Sequence, residues 1–152
     1  MQARINPFTA SPNGYKALAC VEQYLAQSSI EKMLLHLIKL RASQINGCAF
    51  CIDMHWKDLR AGGETEQRMY GLDAWRESPY YTDRERAALA WTEAVTLIRE
   101  GHVEDAVYDE VRKAFSEKEL TDLTIAIGLI NAWNRLAISL RAVPGNYQPA
   151  KH

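Results

Sequence analysis

The chain has 152 residues with 18 Lys and Arg against 19 Asp and Glu, a formal net charge of −1. That near balance argues against a nucleic-acid or anionic-membrane footprint. The length is that of one domain with one core, read here as residues 1–152, and an apolar fraction of 47% is ordinary for a globular protein. No uninterrupted apolar run of about 18 residues occurs, so no transmembrane helix is expected. Met1 to Pro7 lacks the apolar stretch of a signal peptide, which points to a cytoplasmic protein. Three cysteines, an odd number, do not suit a secreted disulfide framework.

Taken in order, residues 1–13 read as extended, with Pro7, Pro12 and Asn13 as breakers. Leu18, Val21 and Leu25 then recur at helical spacing and predict a helix from about Tyr15 to Gln27, with Cys20 as a small buried hydrophobe. Ser28 followed by Glu31 reads as a capping box opening a second helix, whose period runs through Leu34, Leu37, Ile38, Arg41 and Ile45. Asn46-Gly47 is a stop signal, because both residues tolerate the left-handed conformation. A third helix runs from Cys48 to about Ala61 and ends at Gly62-Gly63. A short helix, about Glu64 to Tyr70, and a turn over Gly71–Glu77 follow, broken by Ser78-Pro79.

Thr82 with Glu85 is a second capping box, opening a helix to about Glu100 with Leu89, Val95 and Ile98 as core positions. Val107, Val111 and Phe115 form one stripe of the next helix, from Val103 or Glu104 to Ala114. Ser116 with Glu119 is a third capping box. The last helix, about Glu117 to Ala142, is apolar on several faces and reads as buried, with part of that surface available for subunit contacts. No strand-like alternation and no repeat appears, so the expectation is an all-α fold of six or seven helices.

The chemistry concentrates at Cys48-Ala49-Phe50-Cys51-Ile52-Asp53-Met54-His55. On a helix starting at the first cysteine, spacings of three and four put the two thiols and the imidazole on one face. Unpaired N–H groups at a helix start favour a thiolate, and the imidazole one turn on can exchange its proton. The helix-start field favours Cys48 as the reactive sulfur; the one-turn spacing to His55 favours Cys51. A second sulfur at this distance can close a disulfide once the first is oxidised.

Residues Gln44–His55, with the preceding run from Leu37 to Ser43, resemble the AhpD-like alkylhydroperoxidases of the carboxymuconolactone decarboxylase superfamily. The resemblance continues at Ala88–Glu93, at Phe115-Ser116-Glu117 and at Ile130–Arg135, and so covers most of the chain. It implies an all-helical domain assembling as a homotrimer or homohexamer. It also implies a hydroperoxide substrate, a thiol or dithiol reductant protein as partner, and no metal, haem or flavin. Cys51 would be peroxidatic, Cys48 resolving and His55 the base. One position departs: the family glutamate expected twelve residues before the first cysteine, part of a proton relay, is His36 here. Histidine also passes protons near neutral pH, so His36 joins the candidate site.

Other readings of these residues stay open at this stage. Cys48, Cys51, His55 and His36 make a Cys2His2 set of the kind that holds zinc. The cysteines could equally be inert packing or a noncatalytic redox sensor. The superfamily also contains decarboxylases that act on a muconolactone without a Cys-x-x-Cys pair. Glu93 could offer a carboxylate near the thiols, or serve as a surface or salt-bridged glutamate. Trp75, Trp91, Trp133, Tyr80 and Tyr81 read as core or as pocket lining. Asn131, Asn134 and Arg135 sit on an apolar helix and need partners, within the fold or from a substrate.

Overall fold

A computed structural model of the chain describes residues 2–149. These form nine α-helices with no strand among them. The helices are α1 (Pro7–Ala10), α2 (Pro12–Leu25), α3 (Lys32–Asn46), α4 (Ala49–Ala61), α5 (Glu66–Tyr70), α6 (Asp83–Thr96), α7 (Ile98–Gly101), α8 (Asp105–Ala114) and α9 (Glu117–Leu140). A 3₁₀ turn at Gly71–Ala74 joins α5 to the loop before α6. α3 is the hub, packing against α4, α6 and α9. Leu37, Ile38 and Leu40 of α3 meet Leu59, Leu89, Leu123 and Ile127 in the core, and all seven are almost completely buried.

The local signals for α6 and α9 form as read. Thr82 and Ser116 each accept a backbone N–H from the glutamate three residues on, whose carboxylate returns to the cap. Ser28 does not act as a cap. Glu31 itself takes the position before α3, and its carboxylate is drawn away to Arg84 Nε at 3.0 Å. Ser28 Oγ instead donates to Leu25 O at 2.7 Å.

Three further expectations are corrected. The N-terminal stretch is not wholly extended: Pro7 and Pro12 both open helices, as proline does well at a first turn. Cys20 is exposed, because α2 covers the core only along the side of Leu18, Val21 and Leu25. The helix expected to reach Glu100 breaks at Leu97, and Ile98 is exposed. The count therefore rises to nine through the short α1 and α7.

By length and composition α9 is apolar enough to cross a membrane. It serves here as a core helix. Leu123, Ala126, Ile127, Leu129 and Ile130 are buried against α3 and α6. Its polar side chains are matched to those helices too: Trp91 Nε1 donates to Thr124 Oγ1 at 3.0 Å, and Asn134 Nδ2 donates to Ser43 Oγ at 3.0 Å. Hydrogen-bond partners at those depths belong to a folded bundle, since lipid offers none.

Candidate active site

The α3–α4 corner sets the thiols. Gly47 adopts φ +68°, which glycine takes at no cost, and its N–H donates to Gln44 O at 3.1 Å. Cys48 N–H then donates to Ser43 O at 3.0 Å, and the chain re-enters a helix at Ala49 with Cys48 at the cap. The corner is tied to α9 by amides. Asn46 Nδ2 donates to Asn131 Oδ1 at 2.9 Å and to Asn134 Oδ1 at 2.8 Å. These asparagines are thus inter-helix bonds.

Cys48 and Cys51 are paired as a disulfide, their Cα atoms 5.4 Å apart. Both are buried, beside Ala42 and Ile130. They differ in what they face. Cys51 lies on the wall of a cavity of about 660 Å³, and Cys48 does not. That volume suits a small organic ligand. The walls are mostly apolar and come from α1, α2, α4 and α9, with Phe8, Tyr15, Phe50 and Trp133 among them. The rings of Phe8, Tyr15 and Trp133 form a chain, with centroids 5.5 Å and 5.1 Å apart. The N-terminal segment closes this side: Arg4 N–H donates to Leu140 O at 2.9 Å.

The polar end of the cavity holds His36, His55, Asp58, Lys39 and Glu22. His55 is 4% exposed, on the same face of α4 as Cys51. Its Nδ1 stands 3.4 Å from His36 Nδ1, while its Nε2 is buried with no hydrogen-bond partner. Asp58 Oδ2 lies 3.7 Å from His36 Nδ1 and 3.8 Å from His55 Nδ1. Tyr147 Oη donates to Asp58 Oδ1 at 2.7 Å. Burial, reinforced by the positive Lys39 and by His36, pushes His55 well below the usual histidine range. Burial also lowers His36, against the pull of Asp58. Lys39 Nζ donates to Glu22 Oε2 at 2.5 Å, and Trp133 Nε1 donates to Glu22 Oε1 at 3.1 Å.

Cys51, His55 and His36 border one cavity, with Cys48 bonded to Cys51 behind its wall, and they have company. Asp58 stands one turn beyond His55, and that i, i+3 spacing was the signal available for it. Glu22, Lys39 and Tyr147 are brought in by the crossing of α2, α3 and the C-terminal tail, for which no local pattern exists. The atoms that converge with the two histidines belong to Asp58, not to the sulfurs, which pair with each other. Glu93 is elsewhere: it accepts from Arg41 Nε at 2.9 Å, Trp75 Nε1 at 2.8 Å and Arg76 Nη2 at 2.7 Å, a structural ion-pair cluster. Trp75, Trp91 and Tyr81 are core, Tyr80 is exposed, and Trp133 alone of the five lines the cavity.

Comparison with known proteins follows the same lines. The carboxymuconolactone decarboxylase family profile matches residues 12–94. The uncharacterized protein YdfG of Bacillus subtilis is 46% identical over 140 residues, 92% of this chain and 95% of its own. A crystal structure of a protein of unknown function from Agrobacterium tumefaciens, put forward as the antioxidant-defence protein AhpD, is 46% identical. It superposes with a TM-score of 0.92, covering 96% of this chain and all of its own. An uncharacterized peroxidase-related protein from Ralstonia eutropha, described as an alkylhydroperoxidase AhpD core, shares the fold at 18% identity and a TM-score of 0.80. That match covers 91% of this chain and 74% of its own.

Proposed function

We propose a thiol-dependent alkylhydroperoxidase for this chain, which belongs to the carboxymuconolactone decarboxylase family. The observation that carries the proposal is the asymmetry of the sulfur pair. Cys51 is on the cavity wall with His55 one turn away, and Cys48 lies behind it within bonding reach.

The chemistry runs as follows. The Cys51 thiolate attacks one peroxide oxygen, the O–O bond breaks, and the alcohol leaves with a proton, so that Cys51 becomes a sulfenic acid. Cys48 attacks that sulfur, the disulfide forms and water departs. A dithiol reductant of the cell returns two electrons and two protons. His55, one turn from Cys51 and with Nε2 free of a partner in this disulfide form, would take the Cys51 thiol proton once the pair is reduced. His36 and Asp58 extend the path on the Nδ1 side. The apolar walls favour an organic hydroperoxide over hydrogen peroxide. We place the protein in the cytoplasm, where such a reductant is at hand. Ile125 and Ile138 of α9, exposed here, would be covered in a homo-oligomer.

The test is consumption of cumene hydroperoxide with dithiothreitol as reductant. Turnover is expected in the wild type and none in Cys51→Ser. Cys48→Ser should undergo one oxidation, trapped as a sulfenic acid by dimedone, and then stop. A wild-type protein that consumes no peroxide, with both thiols as unreactive as free cysteine, would remove the proposal.

A further inference from the structure

We infer that Nδ1 of His36, Nδ1 of His55 and Oδ2 of Asp58 form a three-ligand site for a divalent cation of the zinc class, open on its fourth side to the cavity. The three atoms stand 3.4, 3.7 and 3.8 Å apart. The His36–His55 contact at 3.4 Å is a long, weak hydrogen bond, and neither imidazole Nδ1 is within hydrogen-bond distance of Asp58 Oδ2. The three separations suit a shared cation. The nearest point equidistant from all three lies in their plane, about 2.1 Å from each, and zinc binds imidazole nitrogen and carboxylate oxygen at about 2.0–2.2 Å. Ligands at that bond length stand about 3.3–3.6 Å apart around a tetrahedral ion, but only about 3 Å apart at right angles in an octahedral one. The observed separations, averaging about 3.6 Å, are nearer the tetrahedral spacing than the octahedral one, and an ion about 2.2 Å from each atom would stand just out of their plane.

The surroundings are built in the same sense. Asp58 spends its other oxygen on Tyr147 Oη at 2.7 Å, which aims Oδ2 at the two rings. Lys39, the cation facing this corner from α3, is balanced by Glu22 at 2.5 Å. Lys32 adds positive charge from the start of the same helix. All three proposed ligands border the cavity, so an ion has an entry path and a free fourth position. An ion on Nδ1 would keep the His55 proton on Nε2 and make that atom a donor rather than an acceptor, so the ion-loaded chain would lack the base assigned to Cys51, and the ion-free chain would be the peroxide-reducing form.

The site differs from a Cys2His2 cluster in needing no sulfur, and that separates the two in one experiment. Full-length protein is stripped with a chelator and titrated with Co²⁺ as a visible-absorbing probe, in the disulfide form and again after reduction. The expected result is one ion per chain with tetrahedral ligand-field bands and no sulfur-to-metal charge-transfer band. Affinity should be equal in both redox forms and in the Cys48→Ser/Cys51→Ser double variant, and Zn²⁺ should displace the probe. His36→Ala and Asp58→Asn should each weaken binding at least ~10-fold with unchanged helical circular dichroism. The wild-type titration stands on its own should either variant fold poorly. Three outcomes overturn the inference: no stoichiometric binding to the wild type, binding indifferent to Asp58→Asn, or binding only after reduction with a sulfur charge-transfer band. None of these readouts is peroxide turnover, so a protein without peroxidase activity would leave the result standing.

Discussion

The Nδ1 atoms of His36 and His55 face each other at 3.4 Å across the packed faces of α3 and α4. His36 occupies the position at which the resembling family carries a relay glutamate, and it reaches the same imidazole that follows the second cysteine. If His36 hands protons on from His55, its removal slows turnover without unfolding the chain. His36→Ala should lower peroxide turnover by about 10²-fold, the usual worth of one positioned proton-transfer group. His36→Glu should keep or raise the wild-type rate. Steady-state turnover of both variants decides it: an undiminished rate in His36→Ala would take His36 out of the relay.

The corner that presents the cysteines depends on buried amides. Asn134 is fully buried, accepts from Asn46 at 2.8 Å and donates to Ser43 Oγ at 3.0 Å. Truncating it leaves a gap in a packed interface and takes one bond from each of two polar partners, Asn46 keeping Asn131 and Ser43 Oγ keeping Lys39 O. Asn134→Ala should therefore destabilise the fold by about 1–3 kcal/mol. It should also loosen the α3–α4 corner, seen as slower disulfide closure after oxidation. Urea denaturation of oxidised and reduced protein measures the first effect, and a stability within ~0.5 kcal/mol of wild type would refute it.

Cys48, Cys51 and His55 could be picked out in the sequence because their relation is intrahelical. Spacings of three and four fix which side chains share a face, whatever the helix later packs against. The capping boxes at Thr82 and Ser116 were legible for the same reason. Ser28 shows the limit: Arg84, 53 residues beyond Glu31, takes the glutamate that the local pattern assigned to a cap. Asp58 shares a helix face with His55, but it meets His36 only through the α3–α4 crossing and is held by a tyrosine of the C-terminal tail. Likewise the cavity wall built by Ile5 and Phe8 comes from a stretch that reads as extended. Its position rests on hydrogen bonds from Arg4 to Leu140 and Ser139, more than 130 residues away.

Acid should unfold the protein partly through the start of α9. The Ser116 N–H, with Arg84 at 2.7 Å, holds the Glu119 carboxyl down at about 2, against an ordinary 4.5. Asp122, 2% exposed, would be raised by burial alone, but Lys118 at 2.7 Å and Tyr24 Oη at 2.7 Å keep it below the usual aspartate value. A depressed folded-state pKa means that the unfolded chain protonates first as pH falls. The stabilisation is complete above the ordinary carboxylate range and is lost between roughly pH 4.5 and pH 2. Melting temperatures of wild type and Glu119→Gln should then differ at pH 6 and converge toward pH 2. A difference that stays constant over that range would rule out this carboxylate as a source of acid sensitivity.

The C-terminus of α9 carries a strained residue. Arg141 closes the helix with φ 56° and ψ 55°, the left-handed region that a side chain with a Cβ disfavours. Its N–H reaches back to Ile138 O at 3.3 Å, and Ala142 N–H donates to Ala137 O at 2.8 Å, so this conformation is what completes the cap. Among the described residues no hydrogen bond of the guanidinium offsets the backbone term, whereas glycine adopts the same angles freely. Against that relief stands the larger entropy that glycine gives the unfolded chain, which removes part of the gain. Arg141→Gly should therefore stabilise the protein by about 0.5–1 kcal/mol, and Arg141→Val, β-branched, should destabilise it by about 1 kcal/mol. Because Leu140 and Ala142 on either side border the cavity, a tighter cap here should also leave peroxide turnover unchanged or faster. Denaturant midpoints of the two variants check the sign, and a destabilised Arg141→Gly would show that the arginine side chain, not the backbone, decides the energy of this cap.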